Sequence, residues 1–178
     1  MPQVEAAFVG LDANNGGIRA LVGGFDFNRN KYNRVSQAQR QPGSSFKPFI
    51  YAAALEKGIM PNTLVNDAPL SISSLETGSQ MWSPKNYDGK FEGQMKLRAA
   101  LAKSKNLVSV RVIRKIGPRY AQDFIQRFGF EAEKHPPYLT MALGAGSVAI
   151  KTAAGTGTDQ RGINRTTNDI GAYSFGIQ

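Results

Sequence analysis

Cysteine is absent, histidine and tryptophan occur once each, and 13 acidic residues face 22 lysines and arginines in a chain of 178 residues. Without cysteine there is no disulfide frame, no thiolate zinc site and no pointer to a redox compartment. One histidine, His135, leaves any multi-histidine metal site or Ser-His-Asp triad resting on a single residue. It stands in Lys134-His135-Pro136-Pro137, a loop-like setting that argues against catalysis. No run approaches the roughly 18 uninterrupted apolar residues of a membrane span, and the N-terminus lacks a signal-peptide pattern, so the chain reads as soluble. The shortage of acid leaves a formal net charge of +9. That excess favours anionic surroundings such as nucleic acid, an acidic membrane surface or an anionic cell-wall polymer. A hydrophobic fraction of 41 % and a charged fraction of 20 % are those of an ordinary globule, so disorder is not expected. The length suits one domain, and residues 1–178 are read as one.

Val4 to Leu11 and Ile18 to Val22 are strand-like, and Asn14-Asn15-Gly16-Gly17 between them is a turn signal, which predicts a hairpin. A polar loop, Phe25 to Gln41, leads to Pro42-Gly43, where a helix is expected with Ser44 or Ser45 as its cap. Phe46, Phe49, Ile50, Ala53, Ala54 and Leu55 follow at helical spacing, and Pro48 is tolerable because it lies near the first turn. Ile59 to Glu92 reads as a long irregular stretch. Lys96–Leu101, Asn106–Ile116 and Tyr120–Phe128 read as helices, the last ended by Gly129. Phe8, Leu11, Phe49, Leu101, Val108, Val112 and Ile113 are the expected core. Residues 149–171 are rich in Gly, Thr, Asn and Ala with weak periodicity, and 172–177 is apolar enough for a final strand.

The sharpest chemical feature is Gly43-Ser44-Ser45-Phe46-Lys47 at the start of an apolar helix. A serine and a lysine three apart share a helix face, one turn apart. A serine hydroxyl becomes a nucleophile when a base takes its proton and a helix N-terminus favours negative charge. Lys47 meets the first need only when desolvation or neighbouring cations lower its pKa from about 10.4. Alone, the pattern is better explained by a capping serine and a solvated lysine. The second feature, Ser104-Lys105-Asn106, offers a hydroxyl that can relay a proton and an amide that can hold both a lysine and a substrate carbonyl. Alone it is also ordinary turn chemistry.

Together, 60 residues apart, the two features carry recognisable flanks. These are Arg40-Gln41-Pro42-Gly43-Ser44-Ser45-Phe46-Lys47-Pro48-Phe49, Leu97-Arg98-Ala99-Ala100-Leu101-Ala102-Lys103-Ser104-Lys105-Asn106 and Tyr138-Leu139-Thr140-Met141-Ala142-Leu143-Gly144. With them the chain closely resembles the transpeptidase domain of class A penicillin-binding proteins, from about Val4 to Val148. The resemblance implies an α/β (α+β) fold, a five-stranded antiparallel sheet packed by helices and shared with the serine β-lactamases. It implies a serine D,D-transpeptidase of peptidoglycan synthesis, acylated by β-lactam antibiotics, with stem peptides as substrate and no metal or organic cofactor. Ser44 would be the nucleophile and Lys47 its proton acceptor. Ser104 would relay the proton to the leaving group, and Asn106 would hold the substrate amide and Lys47. The family context implies the periplasmic face of the inner membrane, with an anchor and a glycosyltransferase domain upstream.

The family's third motif, Lys-Thr-Gly-Thr or Lys-Ser-Gly-Thr, is not intact. Lys151-Thr152-Ala153 lacks the glycine, and Gly155-Thr156-Gly157-Thr158 lacks the lysine. Lys151 also lies only 45 residues past Asn106, so the tail reads as abridged after Val148. Lys151, Thr152, Thr156, Gly157 and Thr158 are the nearest candidates for the substrate-carboxylate wall. Trp82, in a loop-like aromatic segment, is a candidate for lining the groove or for pinning a long loop to the core. An alternative reading is a folded transpeptidase scaffold that no longer turns over. A basic nucleic-acid-binding module is the remote third, since Arg29, Lys31 and Arg34 interleave with Phe27 and Tyr32 but no nucleic-acid motif accompanies them; no nucleic acid is expected.

Overall fold

Asn14 to Gly17 reverses the chain between two strands, as the turn chemistry requires. In the computed structural model, which describes residues 4–77 and 80–147, β1 (Phe8–Leu11) pairs antiparallel with β2 (Ile18–Val22). The register sets Phe8 opposite Val22 and Gly10 opposite Ala20, with an irregularity at Gly10/Leu11. The Asp12 carboxylate accepts the Asn14 N–H at 2.9 Å and pairs with Arg19, which closes the turn. This hairpin belongs to the first of two units, which among the described residues comprises 4–40, 126–134 and Ser147. Phe8 and Leu11, expected in the core, are 61 % and 36 % exposed. Each strand has a single pairing partner among the described residues, so the period-2 pattern marks strand without guaranteeing a covered face.

The second unit comprises residues 41–125 and 135–146. Its first helix does not start on a serine cap. Gly43–Phe46 form a 3-10 turn that runs into α1 (Lys47–Glu56), and the two N-cap positions are Pro42 and Phe46, neither with a side-chain cap. Pro48 sits in the first turn of α1, where its missing N–H costs little. The capping role expected for Ser44 or Ser45 is therefore corrected, and the Ser44 side chain stays exposed.

The stretch expected to be irregular contains β3 (Leu64–Asp67) and the single turn α2 (Ser74–Thr77), with a bridge between Ile72 and Trp82. β3 pairs antiparallel with β4 (Gly93–Lys96), Leu64 opposite Lys96 and Asp67 opposite Gly93. Four residues without alternation leave no strand signature, and pairing across the long connection makes the strand. Next come α3 (Leu97–Ala102), α4 (Asn106–Ile116) and α5 (Pro118–Gln126). The bounds of α4 are those expected. α5 begins two residues early because Pro118 has a backbone preset for a first turn.

α1 packs against α4, and a 3-10 turn at Leu139–Leu143 packs on α4 as well. Phe46, Phe49, Ile50, Ala53 and Ala54 bury against this frame with Leu107, Val108, Val112 and Ile113. Phe49, Val108, Val112 and Ile113 are buried as expected, whereas Leu101 is only half-buried. Leu107 is 0 % exposed, so Leu107→Ala will lower unfolding stability by about 2–5 kcal/mol, read from the urea midpoint. The described residues thus combine helices with antiparallel strand pairs, the α+β class expected, but their strands form two separate two-stranded sheets and not the five-stranded sheet the resemblance implies. The strand expected at 172–177 lies outside the described residues.

Candidate active site

Two segments far apart in sequence meet on one amine. Lys47, the first residue of α1, is 1 % exposed. Its Nζ donates to the Ser104 carbonyl at 2.6 Å, to Ser104 Oγ at 2.9 Å and to Asn106 Oδ1 at 2.7 Å. An ammonium has three donors, and all three are used. Burial disfavours its charge and pushes the Lys47 amine down to about 8. Ser44 lies three residues earlier in the 3-10 turn, where side chains three apart eclipse. An exposed Ser44 and the buried Lys47 thus stand one turn apart at the start of the helix, and the Lys47 N–H donates to the Ser44 carbonyl.

The partners of Lys47 come from the tight turn between α3 and α4. Ser104 holds φ +53°, the left-handed region that costs an L-residue about 1–2 kcal/mol. Backbone bonds from Ser104 N–H to Leu101 O and from Lys105 N–H to Ala100 O fix the turn, both at 2.9 Å. In this strained shape the carbonyl and the hydroxyl of Ser104 reach the same ammonium.

The sequence alone did not single out what lies behind this turn. Lys105, the middle residue of Ser104-Lys105-Asn106, has partners other than those of Lys47 and is itself buried. Its Nζ lies 2.9 Å from Asp88 Oδ2, 3.0 Å from Glu92 Oε1 and 3.5 Å from Asp67 Oδ2. Asp88, and then Glu92, hold the Lys105 ammonium well above its ordinary range, and Lys105 holds Asp88 below the usual carboxylate range in return. Asn106 is fixed as well: its Nδ2 donates to the Lys85 carbonyl at 2.8 Å, which turns Oδ1 toward Lys47. The readable signal was compositional. Asp67, Asp88 and Glu92 are concentrated acid in a basic chain, near the lysine between the motif's serine and asparagine.

A second clamp lies in front of Ser44. The Gly43 N–H reaches the Gly144 carbonyl at 3.4 Å, and Gln41 Nε2 donates to the Ala145 carbonyl at 2.9 Å. Gly144 has φ +69°, and a Cβ there would collide with the carbonyl oxygen, nitrogen and carbonyl carbon of Gly43. The segment 138–144, which carried part of the family resemblance, therefore braces the residue before Ser44.

Of the residues expected at the site, Lys47, Ser104 and Asn106 are brought together by hydrogen bonds, and Ser44 stands one turn from Lys47. Trp82 is half-buried and is tied by its backbone to Ile72 at 2.9 Å in both directions. His135 is 1 % exposed and stacks on Phe46, ring centroids 5.0 Å apart and planes at 11°, so it backs the helix start from inside. Lys151, Thr152, Thr156, Gly157 and Thr158 lie outside the described residues. Among the described residues no cluster of His, Cys, Asp and Glu is arranged to hold a metal ion, and no helix is long and apolar enough to cross a membrane.

Comparison with known proteins bears on the same residues. A family model described as the penicillin binding protein transpeptidase domain matches residues 6–167. Penicillin-binding protein 1A of Neisseria cinerea is 52 % identical over 145 residues, 82 % of this chain and 18 % of the relative. Penicillin-binding protein 1A of Escherichia coli K12 is 40 % identical over 184 aligned positions, 98 % of this chain and 22 % of the relative. The chain therefore spans about a fifth of the length of the curated relatives it matches. The crystal structure of penicillin-binding protein 1A from Haemophilus influenzae superposes with a TM-score of 0.80 at 42 % identity, covering 86 % of this chain and 22 % of that one. The PonA1 protein of Mycobacterium tuberculosis in complex with penicillin V has a TM-score of 0.69 at 28 % identity, covering 83 % and 41 %. With its fold, its two motifs and its sequence all in agreement, this chain belongs to the penicillin-binding protein transpeptidase family and matches the class A, 1A-type members of it.

Proposed function

We propose that the chain is a serine D,D-transpeptidase domain that cross-links peptidoglycan stem peptides through a Ser44 acyl-enzyme. The observation that carries this reading is the buried Lys47 amine, held between Ser104 and Asn106 one turn after an exposed Ser44. Desolvation makes the amine a usable base near neutral pH. Lys47 accepts the Ser44 hydroxyl proton as Ser44 Oγ bonds to the penultimate D-alanine carbonyl of a donor peptide. The Ser44 N–H is one donor to the resulting oxyanion. Collapse breaks the C–N bond, and the proton passes from Lys47 through the Ser104 hydroxyl to the leaving D-alanine nitrogen. An amine of a second stem peptide then attacks the Ser44 ester, forms the cross-link amide and returns the proton to Ser44. A β-lactam follows the first half only, because its leaving nitrogen stays tethered in the opened ring.

In this reading Asn106 binds the substrate amide as well as Lys47. Lys151, with Thr152 and Thr156-Gly157-Thr158, supplies the wall for the substrate carboxylate, and Trp82 lines the groove. The reaction runs at the periplasmic face of the inner membrane, with an anchor and a glycosyltransferase domain elsewhere in the whole protein. The broken Lys-Thr-Gly pattern favours a second reading, a folded scaffold that acylates poorly or not at all; loss of one oxyanion donor alone costs about 10²–10³ in rate. Release of D-alanine from a D-Ala-D-Ala-ended peptide decides between them. Release that stops in Ser44→Ala supports the transpeptidase, and no release from the folded parent supports the scaffold.

A further inference from the structure

α4 begins without a cap of its own: Lys105 occupies the N-cap position and its side chain makes no capping bond. The first backbone N–H groups of a helix need acceptors from elsewhere. Here one side chain supplies them from 20 residues upstream. Asn86 Oδ1 accepts the Asn106 N–H at 2.9 Å and the Leu107 N–H at 3.3 Å. Asn86 is 5 % exposed, and its Nδ2 is anchored on Asp67 Oδ1 at 2.7 Å and the Lys90 carbonyl at 2.8 Å. Asp67 is 0 % exposed, and its other oxygen accepts the Glu92 N–H at 3.1 Å. The residue before Asn86 contributes as well, since the Lys85 carbonyl takes the Asn106 side-chain amide at 2.8 Å. Both the backbone and the side chain of Asn106 therefore hang on Lys85-Asn86.

We propose that Asn86 is a positioning residue of the acyl-transfer site: bridging Asp67 to the start of α4, it holds Asn106 in the orientation that presents Oδ1 to Lys47. The role rests on the acyl-transfer reading above. Asn86 touches neither Lys47 nor Ser44 through any of these bonds and acts through Asn106. Both halves of its amide are needed, an acceptor for α4 and a donor for Asp67.

That double requirement gives the test. Asn86→Asp keeps an acceptor for α4 but sets a carboxylate against the Asp67 carboxylate. Asp67→Asn together with Asn86→Asp restores a donor–acceptor pair with the roles exchanged. The second-order rate of acylation by a fluorescent penicillin is measured for the 178-residue chain, Asn86→Ala, Asn86→Asp and the double variant, with thermal unfolding alongside. Misplacement of a site group by about 1 Å costs on the order of 10²-fold, so Asn86→Ala and Asn86→Asp are expected to lose about 10–10²-fold while folded. The double variant is expected to recover at least half of that loss on a logarithmic scale. A folded Asn86→Ala within about twofold of the parent overturns the proposal. So does a double variant no faster than Asn86→Asp, even where Asn86→Ala fails to fold. The ¹⁵N–¹H resonances of the Asn106 side chain are read in the same proteins. If the parent takes up no penicillin, the acyl-transfer reading fails by itself, and these resonances decide the positioning: unmoved signals in Asn86→Asp overturn it, and a shift reversed in the double variant supports it.

Discussion

Lys47→Met will slow acylation of Ser44 by a penicillin by about 10²–10⁴-fold, the range a positioned general base supplies. Methionine is unbranched and fills the buried stem of Lys47, so the packing beneath α1 is kept while the amine is removed. The Ser104 and Asn106 acceptors lose a common donor, so some stability is lost too, and the rate must be read on protein shown to be folded. The pH profile separates a base from a filler. With the Lys47 amine near 8, the neutral form is about a tenth of the protein at pH 7, and the rate should climb close to tenfold per pH unit below 8 and level off above it. The Lys47→Met profile should be flat across that interval. Stability carries the same signature. The folded-state value lies below that of the unfolded chain, near 10.5, so between about 8 and 10.5 the unfolded chain binds more protons. Parent stability should therefore rise with pH through that window relative to Lys47→Met. A parent rate that does not change between pH 6.5 and 8.5 would remove Lys47 from the role of base.

Gly144→Ala is expected to be the most damaging single-methyl change near the site, although Gly144 carries no chemistry. At φ +69° any L-residue costs about 1–2 kcal/mol, and the added Cβ meets backbone atoms of Gly43 rather than a side chain that can turn aside. Gly43 immediately precedes Ser44, so relief of the collision moves the nucleophile. The expected outcome is a loss of at least about 2 kcal/mol in urea unfolding, together with a fall of about 10²-fold in acylation rate. The two readouts divide the effect: a loss of stability with the rate unchanged would show that Gly144 supports the fold but does not brace Ser44.

The helices at the site were legible because their signals are local. α4 appears at its expected bounds, with Val108, Val112 and Ile113 inside, since its apolar positions recur at helical spacing and Gly117 ends it. The hairpin was legible from Asn14 to Gly17. Phe8 and Leu11 were misplaced because alternation identifies a strand but not the layer that covers it. Neither Ser44 nor Ser45 caps the helix because the chain enters α1 through a 3-10 turn, and sequence spacing does not distinguish that entry from a capped start.

The site divides along the same line. The Ser-x-x-Lys spacing makes desolvation of Lys47 a condition for a base, and the fold meets it by burying the amine against Ser104 and Asn106. The layer behind the motif, Asn86 with Asp67 and Lys105 with Asp88 and Glu92, depends on contacts that span 13 to 25 residues. No periodicity registers such contacts. Asn86 lies in a stretch read as loop, where asparagine is ordinary, and only the pairing of β3 with β4 brings Asp67 and Glu92 near Lys105.

The most direct measurement is the intact mass of the 178-residue chain after incubation with a penicillin, beside Ser44→Ala. The expected result is one covalent adduct of the antibiotic's mass on the parent and none on the variant. A folded parent that gains no mass, or a Ser44→Ala variant that gains as much as the parent, would contradict an assembled Ser44 nucleophile.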